Sequence, residues 1–281
     1  CSEPAGRGSH MDYFWNYAFL QRGLAMAILG GGVCGAMGVF VVLWRMSLVG
    51  MSISHAAFAG ALLSLMLGCP PLAGGVTASL LAAAIVGPLA ERPGFSPDTA
   101  MGVIFSVVMG LAVMILGLMP GARTEGLSLV WGSLLTVDSL DLRLMACTAA
   151  GLLLFVFLFF KEIQAIIGQR RSAEAAGIPV RQIYYACLML MGLTVAFSLK
   201  AIGGFLIFSL IVTPAATALQ ITYSLKSMFF LSALFGAAAS SAGLWLSYEF
   251  ALPPGAAIVL VATTGLIAAM VLSPKKRERR A

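Results

Sequence analysis

One histidine lies inside a long apolar stretch of this sequence, and a methionine precedes it by four residues. These are His55 and Met51, with Ser52 and Ser54 between them. On a helix, side chains four residues apart project from the same face, so the imidazole and the thioether would lie together. Imidazole suits zinc and copper and thioether favours softer ions, so the pair predicts a transient site for a soft or borderline cation. The competing interpretation is structural, with Met51 as a packing residue and His55 hydrogen-bonded to a neighbouring helix.

The composition around this pair is typical of a membrane protein. Hydrophobic residues make up 60% of the chain and charged residues only 10%, whereas soluble domains carry about 25% charged residues. Apolar stretches repeatedly reach the roughly 20 residues that a helix needs to cross the hydrocarbon core. We therefore predict an all-α, polytopic integral membrane protein with about 8–9 transmembrane helices.

Nine apolar segments can be delimited along the chain, and the count is eight if one of the shorter segments does not cross fully. They run approximately over Tyr17–Trp44, Met51–Gly68, Leu72–Leu89, Met101–Leu118, Leu140–Phe160, Val180–Leu199, Phe205–Ile221, Met228–Tyr248 and Ala256–Leu272. Small residues are dense within them, as in the GxxxG spacing of Gly31 and Gly35 and the run Gly236–Ser240. Such faces allow close helix packing in lipid, although glycine is also common in membrane helices generally.

Ionisable side chains are confined to the ends of these segments, with one exception. Asp138, Asp141, Lys200 and Glu249 all fall at segment ends or in loops, whereas His55 lies within a segment. An ionisable group inside the membrane is energetically expensive, so such a residue is a functional-site candidate by default. His55 is therefore the first candidate for the functional site, and Met51 is the second.

The two ends of the chain carry different signals. Cys1–His10 has no apolar core and ends in Gly-Ser-His, so it resembles a cloning remnant before a native start at Met11. Residues 11–281 then form a single transmembrane domain. Much of the net charge of +6 comes from the basic run Lys275–Arg280, which directly follows an apolar segment. This position indicates a cytoplasmic anchor, and we expect no nucleic acid among the partners.

The basic residues also predict the orientation. With a cytoplasmic C-terminus, most of them fall on the cytoplasmic side, as the positive-inside rule requires. The cytoplasmic group comprises Arg45, Arg92, Lys161, Arg170, Arg171, Arg181 and Lys226. Four fall on the other side: Arg22, Arg123, Arg143 and Lys200. We predict a multi-pass protein whose C-terminus is cytoplasmic.

The longest predicted cytoplasmic segment is Lys161–Arg181. It contains a helix-compatible run from Arg171 to Ala176, followed by the potential helix stop Gly177. This helix could dock a soluble partner, or the segment could be an ordinary solvated loop. The chain has no GxxxxGK[ST] phosphate loop, so a separate subunit must supply ATP if ATP drives the protein.

Several separated motifs resemble the permeases of binding-protein-dependent ABC importers for zinc, manganese or iron. They follow the family's order between about Tyr17 and Leu272. The matching runs are Gly38–Leu48, Ser54–Ala56 with Gly60, Asp98–Ser106, Pro214–Ala218 and Leu252–Leu260. Matches at several separated places are more specific than any single motif.

The resemblance implies a transport subunit rather than an enzyme, in a prokaryotic plasma (inner) membrane. The implied partners are a second copy of the chain, a cytoplasmic ABC ATPase dimer, an extracytoplasmic metal-binding protein and the surrounding lipid. No cofactor is bound permanently, because the metal is cargo and ATP binds the partner. The family's ATPase-coupling helix corresponds to Arg171, Ala173, Glu174 and Gly177, although Ile167–Gln169 replaces the Phe-Asp-Pro that precedes it in the family.

Met51 departs from the family pattern, which usually has an aspartate four residues before the pathway histidine. Without that carboxylate the site loses a hard ligand and keeps an imidazole and a thioether. We therefore expect zinc as the first cargo, with manganese or iron next. In this interpretation His55, and transiently Met51, bind the passing ion at the interface between two copies.

Two other classes of function compete with this one. A secondary transporter driven by an ion gradient would use carboxylates or broken-helix ion sites near the midplane, and the apolar segments have no such carboxylates. A membrane-embedded metal hydrolase would usually need three protein ligands. The chain has one native histidine and no intramembrane acid, which is too few ligands for such a site.

Overall fold

Helices form the regular structure of the described chain, which comprises residues 18–90, 97–118, 123–132, 137–204 and 206–273 of this computed structural model. Within those ranges there are twelve helices and no strand. In chain order they are α1 Ala18–Leu43, α2 Ser47–Met66, α3 Pro71–Ala90, α4 Pro97–Leu118, α5 Arg123–Trp131, α6 Ser139–Leu158, α7 Phe160–Gly168, α8 Arg170–Ala175, α9 Val180–Ile202, α10 Ile207–Ile221, α11 Leu225–Phe250 and α12 Pro254–Leu272. The all-α fold class is confirmed.

Eight of these helices are long and apolar enough to cross a membrane, namely α1, α2, α3, α4, α6, α9, α11 and α12. A helix satisfies its own backbone hydrogen bonds, which is what a segment without access to water requires. The predicted polytopic membrane architecture is therefore confirmed. The terminal segments Cys1–His10 and Lys275–Arg280 lie outside the described residues.

The segment predicted as a span from Phe205 to Ile221 is shorter than expected. Helix α10 has 15 residues, or about 22 Å at 1.5 Å per residue, whereas the hydrocarbon core is about 30 Å thick. Its start packs near the start of α12, where Gly255 lies against the Leu206 side chain. Its end lies beside the end of α12, where the Ser273 hydroxyl donates to the Gln220 carbonyl at 2.8 Å. Helix α10 therefore runs parallel to α12, although it is too short to cross alone.

Helix α1 packs closely against α11 through the small residues noted in the sequence. A Cβ atom on Gly31 would collide with the Gly236 carbonyl, and one on Gly236 would collide with the Gly31 carbonyl. Ser232 donates a hydrogen bond to the main-chain oxygen of Gly35. The predicted close helix contact is present, because these glycines let two backbones meet directly.

Three glycines join the ends of α5, α9 and α12. Gly132 has φ 71° and Gly203 has φ 97°, a conformation that suits glycine. A Cβ atom on Gly132 would collide with the backbone of Ile202, and one on Gly255 would lie within 3 Å of the carbonyl oxygens of Ile202 and Trp131. The Gly204 amide also donates to the Leu129 carbonyl at 3.0 Å. At this glycine junction the non-helical backbone at the helix ends packs closely and forms a hydrogen bond between segments.

Candidate functional site

His55 lies in the first half of α2 and is only 6% exposed. Its Nδ1 atom lies 2.8 Å from the main-chain oxygen of Met51. A carbonyl oxygen can only accept, so Nδ1 carries the proton in this contact, and a neutral ring then has its lone pair on Nε2. The ring of Phe105 on α4 meets the imidazole edge to face, with centroids 4.8 Å apart and an interplanar angle of 81°. These two contacts fix the orientation of the imidazole ring within the helix bundle.

Met51 lies one helical turn before His55 and is half-buried. The main-chain oxygen of Met51 therefore orients the imidazole, and its thioether belongs to the same helix face. A neutral imidazole nitrogen and a thioether sulfur are both ligands for borderline or soft cations. The structure thus brings together the two residues singled out in the sequence.

Ser52 and Ser54 tie this part of α2 to its neighbours. The Ser52 hydroxyl lies 2.9 Å from the Leu48 carbonyl of its own helix and 3.0 Å from the Met101 carbonyl of α4. The Ser54 hydroxyl donates to the Gly204 carbonyl in the turn after α9. Buried hydroxyls that bond across helices fix the helix position, so these serines hold the segment that carries His55.

The described residues contain no cluster of three or more His, Cys, Asp or Glu side chains that could hold a metal ion. Cys34 and Cys187 are buried on α1 and α9, where the Cys34 thiol lies 3.6 Å from the Ser198 hydroxyl, and Cys69 is exposed in the turn after α2. Among the described residues, His55 is therefore a candidate nitrogen ligand within a membrane span, with the sulfur of Met51 on the same helix.

The short helix predicted over Arg171–Ala176 is present as α8, Arg170–Ala175. It ends in a Schellman motif, in which the Gly177 amide donates to the Glu174 carbonyl and the Ile178 amide donates to the Ala173 carbonyl, both at 3.1 Å. Gly177 adopts φ 80°, which explains why a glycine ends this helix. The same predicted cytoplasmic segment, Lys161–Arg181, also includes most of the amphipathic helix α7, which buries Ile163 and Ile166.

The four residues assigned to coupling lie in different environments. Arg171 and Gly177 are exposed, whereas Ala173 is buried against the rest of the protein. Glu174 is half-exposed and accepts a bond from Arg170 Nε at 3.2 Å. Arg171 is therefore available for contact with a partner, whereas Ala173 positions the helix.

An ion-pair cluster that the sequence did not predict lies at one end of the bundle. Lys200 in the last turn of α9 lies 2.8 Å from Asp138 and 3.0 Å from Asp141 at the start of α6. The hydrogen bond from Lys200 holds the pKa of Asp138 below its usual value, because it stabilises the carboxylate. Lys200 is 62 positions from Asp138 and 59 positions from Asp141 along the chain, so no local sequence pattern connects them.

Most of the chain matches a known family. A family model described as "ABC 3 transport family" matches residues 16–273. The chain belongs to the ABC 3 transport family. This ABC 3 family member is accordingly a membrane permease subunit, a transport component rather than an enzyme, and the resemblance seen in the sequence motifs is confirmed.

Relatives of this ABC 3 family member match over nearly their full length. The manganese transport system membrane protein MntC of Halalkalibacterium halodurans is 32% identical over 265 residues, 94% of this chain and 91% of that protein. The manganese import system permease protein ScaB of Streptococcus gordonii is 33% identical over 262 residues, 93% of this chain and 94% of that protein. A chain in the solved structure of PsaBC from Streptococcus pneumoniae in complex with Fab has a TM-score of 0.85 and 35% identity, covering 95% of this chain and 96% of that one.

Proposed function

We propose that this chain is the permease subunit of an ATP-driven importer of divalent metal ions, with zinc as the preferred cargo. The observation that carries this proposal is the buried imidazole of His55, whose orientation is held by Met51 and Phe105 inside a membrane helix. Relatives named as manganese permeases over more than 90% of the chain support metal transport as the general function.

The preference for zinc rests on the ligand types. Manganese is a hard ion that favours carboxylate and carbonyl oxygen, whereas zinc binds imidazole well and tolerates sulfur. At the position where the resemblance leads us to expect an aspartate, this chain has Met51. Manganese is the second candidate, because the relatives carry that metal in their names.

Two copies of the chain would form the conduit, with one His55 from each. The face next to α2 suits such an interface, because α4 packs against α2 and leaves large apolar side chains exposed. Val107 is 66% exposed and Val113 is 59% exposed. A site with few ligands would bind the ion weakly enough to release it, as conduction requires.

ATP hydrolysis would take place on a cytoplasmic ATPase dimer that contacts α8. Arg171 offers an exposed cation to that partner, while the Schellman motif at Gly177 keeps the helix end rigid. An extracytoplasmic binding protein would deliver the metal to the other face. In this proposal the C-terminus lies in the cytoplasm of a prokaryotic cell and the chain lies in its plasma membrane.

The test is metal uptake by the reconstituted complex with its ATPase and binding protein. His55→Ala and His55→Asn should both abolish uptake of zinc, manganese and iron while assembly and basal ATP hydrolysis persist. Asparagine can still donate to the Met51 carbonyl but lacks the imidazole nitrogen, so it separates ligand loss from loss of helix packing. Uptake at the wild-type rate in either variant would remove His55 from the pathway.

A further inference from the structure

A groove of about 820 Å³ lies on the surface between α6 and α11. Its lining is apolar except for one lysine, and consists of Ala150, Leu153, Leu154, Val156, Phe157, Phe160, Lys226 and Phe229. The groove is therefore large enough for an extended apolar chain and has a cation at one place.

The groove forms because α6 and α11 both pack on α1. Phe40 of α1 contacts Phe155 of α6, with ring centroids 6.3 Å apart, and Phe229 of α11, with centroids 5.2 Å apart. On the outer side the walls face away from the bundle, since Phe157 is 82% exposed and Leu153 is 71% exposed. The groove therefore opens to the outside of the helix bundle and away from its interior.

Lys226 marks one end of the groove. Its Nζ atom lies 5.5 Å from the centroid of the Phe160 ring, a cation–π contact that keeps the ammonium beside the lining. Among the described residues, no carboxylate lies within ion-pair distance of Lys226. Glu162 lies two positions after Phe160, but its Oε2 atom is buried and it does not line the groove. The charge at this end is therefore positive.

We propose that the groove is a binding site for one anionic phospholipid, with an acyl chain between α6 and α11 and the phosphate on Lys226. Apolar walls favour an acyl chain in a membrane-spanning region, and a lysine at the interface attracts the acidic headgroups of the cytoplasmic leaflet. The predicted orientation places Lys226 on that side. The cation and the elongated apolar lining together fit an anionic lipid better than a neutral one.

A second copy of the chain is the other conceivable occupant. The conduit proposed above would bring two copies together through the face of α2 and α4, where His55 and Phe105 meet. The groove belongs to α6 and α11, which pack on α1 instead. If the dimer forms at the conduit, the groove is left facing the bilayer, and a second copy does not occupy it. This exclusion of a second copy rests on the proposed function. The positive charge of the groove does not depend on the proposed function.

Native mass spectrometry of the full chain, extracted from vesicles that contain phosphatidylglycerol and phosphatidylcholine with the same acyl chains, would test this site. The wild type should retain phosphatidylglycerol in preference to phosphatidylcholine. Lys226→Gln should lower that preference about fivefold, the effect of one basic residue at an anionic surface. Lys161→Gln is the matched control, because it removes a nearby exposed cation that does not line the groove, and it should leave the preference unchanged.

A second variant tests the acyl chain separately. Ala150→Phe fills the groove without changing its charge, so it should reduce retention of both lipids. Equal retention of the two lipids by the wild type, or the same preference in Lys226→Gln as in Lys161→Gln, would refute the site. Disulfide cross-linking of two copies through Phe157→Cys in native membranes would show that a second chain covers the groove, and would refute it as well. Metal uptake is not used as a readout, so loss of the lipid site is distinguishable from failure of the proposed transport function.

Discussion

The imidazole of His55 donates from Nδ1 to the main-chain oxygen of Met51, 2.8 Å away and one helical turn earlier. This contact uses the backbone of residue 51 and does not depend on its side chain. The side chain at position 51 can therefore be changed while the ring orientation is retained. The two possible contributions of Met51, backbone acceptor and thioether ligand, can be separated by mutation.

Met51→Asp should shift the cargo preference from zinc towards manganese. A carboxylate adds a hard, charged oxygen ligand beside the imidazole, which favours manganese more than a thioether does. The measurement is competitive uptake of the two metals by the reconstituted complex. Met51→Leu is the control of similar size without sulfur. Identical preferences in the Asp and Leu variants would show that the side chain at position 51 does not select the ion.

Lys200→Met should destabilise the protein by about 1–3 kcal/mol, because it leaves the Asp141 carboxylate buried without its cation. The Asp141 side chain is 12% exposed, whereas that of Asp138 is 72% exposed. Asp138→Asn should therefore cost less stability than Lys200→Met does, because exposed ion pairs contribute little. Unfolding in mixed micelles measures both. The reverse order of the two losses would contradict the role assigned to burial.

The stabilising contribution of Asp138 should disappear in acid. The Lys200 hydrogen bond lowers the pKa of Asp138 in the folded state, so its contribution is complete above the ordinary aspartate pKa of about 3.9 and is lost as the pH falls through the lower folded-state pKa. The Tm difference between wild type and Asp138→Asn should shrink in that acidic window. In the Lys200→Met background, the Tm difference caused by Asp138→Asn should be small at every pH. A large Tm difference in that background would assign the stabilisation by Asp138 to a partner other than Lys200.

Gly31→Ala should weaken the contact between α1 and α11. The added methyl group would overlap the Gly236 carbonyl and force two backbones apart, at a cost of about 1–3 kcal/mol. Gly265→Ala in α12 is the matched control, because a Cβ atom there meets nothing within 4 Å of the described structure. That control should be neutral or stabilising by up to about 1 kcal/mol, the helix propensity of alanine over glycine. Equal stability losses in unfolding measurements would argue against the close packing.

The sequence predicts most of the membrane architecture because hydrophobic length is a local property. The span predicted at Met51–Gly68 is found as Leu48–Met66. The predicted span at Phe205–Ile221 was too long, because hydropathy does not register that Gly203 ends one helix and Gly204 bonds to Leu129 before the next begins. Helix ends that depend on tertiary contacts are not visible in a hydropathy pattern.

The candidate site was also only partly predictable. His55 stands out because ionisable residues are rare inside membrane spans. Phe105 lies within the matching run Asp98–Ser106, but its ring contact with His55 joins two helices and cannot be read from that motif. The pairing of Lys200 with Asp141 depends on helix ends that meet in space, and their separation along the chain gives no periodicity. Contacts within one helix are thus predictable, whereas contacts between helices require the structure.

The glycine junction at Gly132, Gly203 and Gly255 has a consequence for biogenesis. Gly132 and Gly203 precede Gly255 along the chain, and Gly255 lies at the start of α12. The junction can therefore close only after the start of α12 has been synthesised. Chains truncated before Pro254 should leave the backbone around Trp131 and Ile202 without this contact, and such chains should be substrates for membrane proteases.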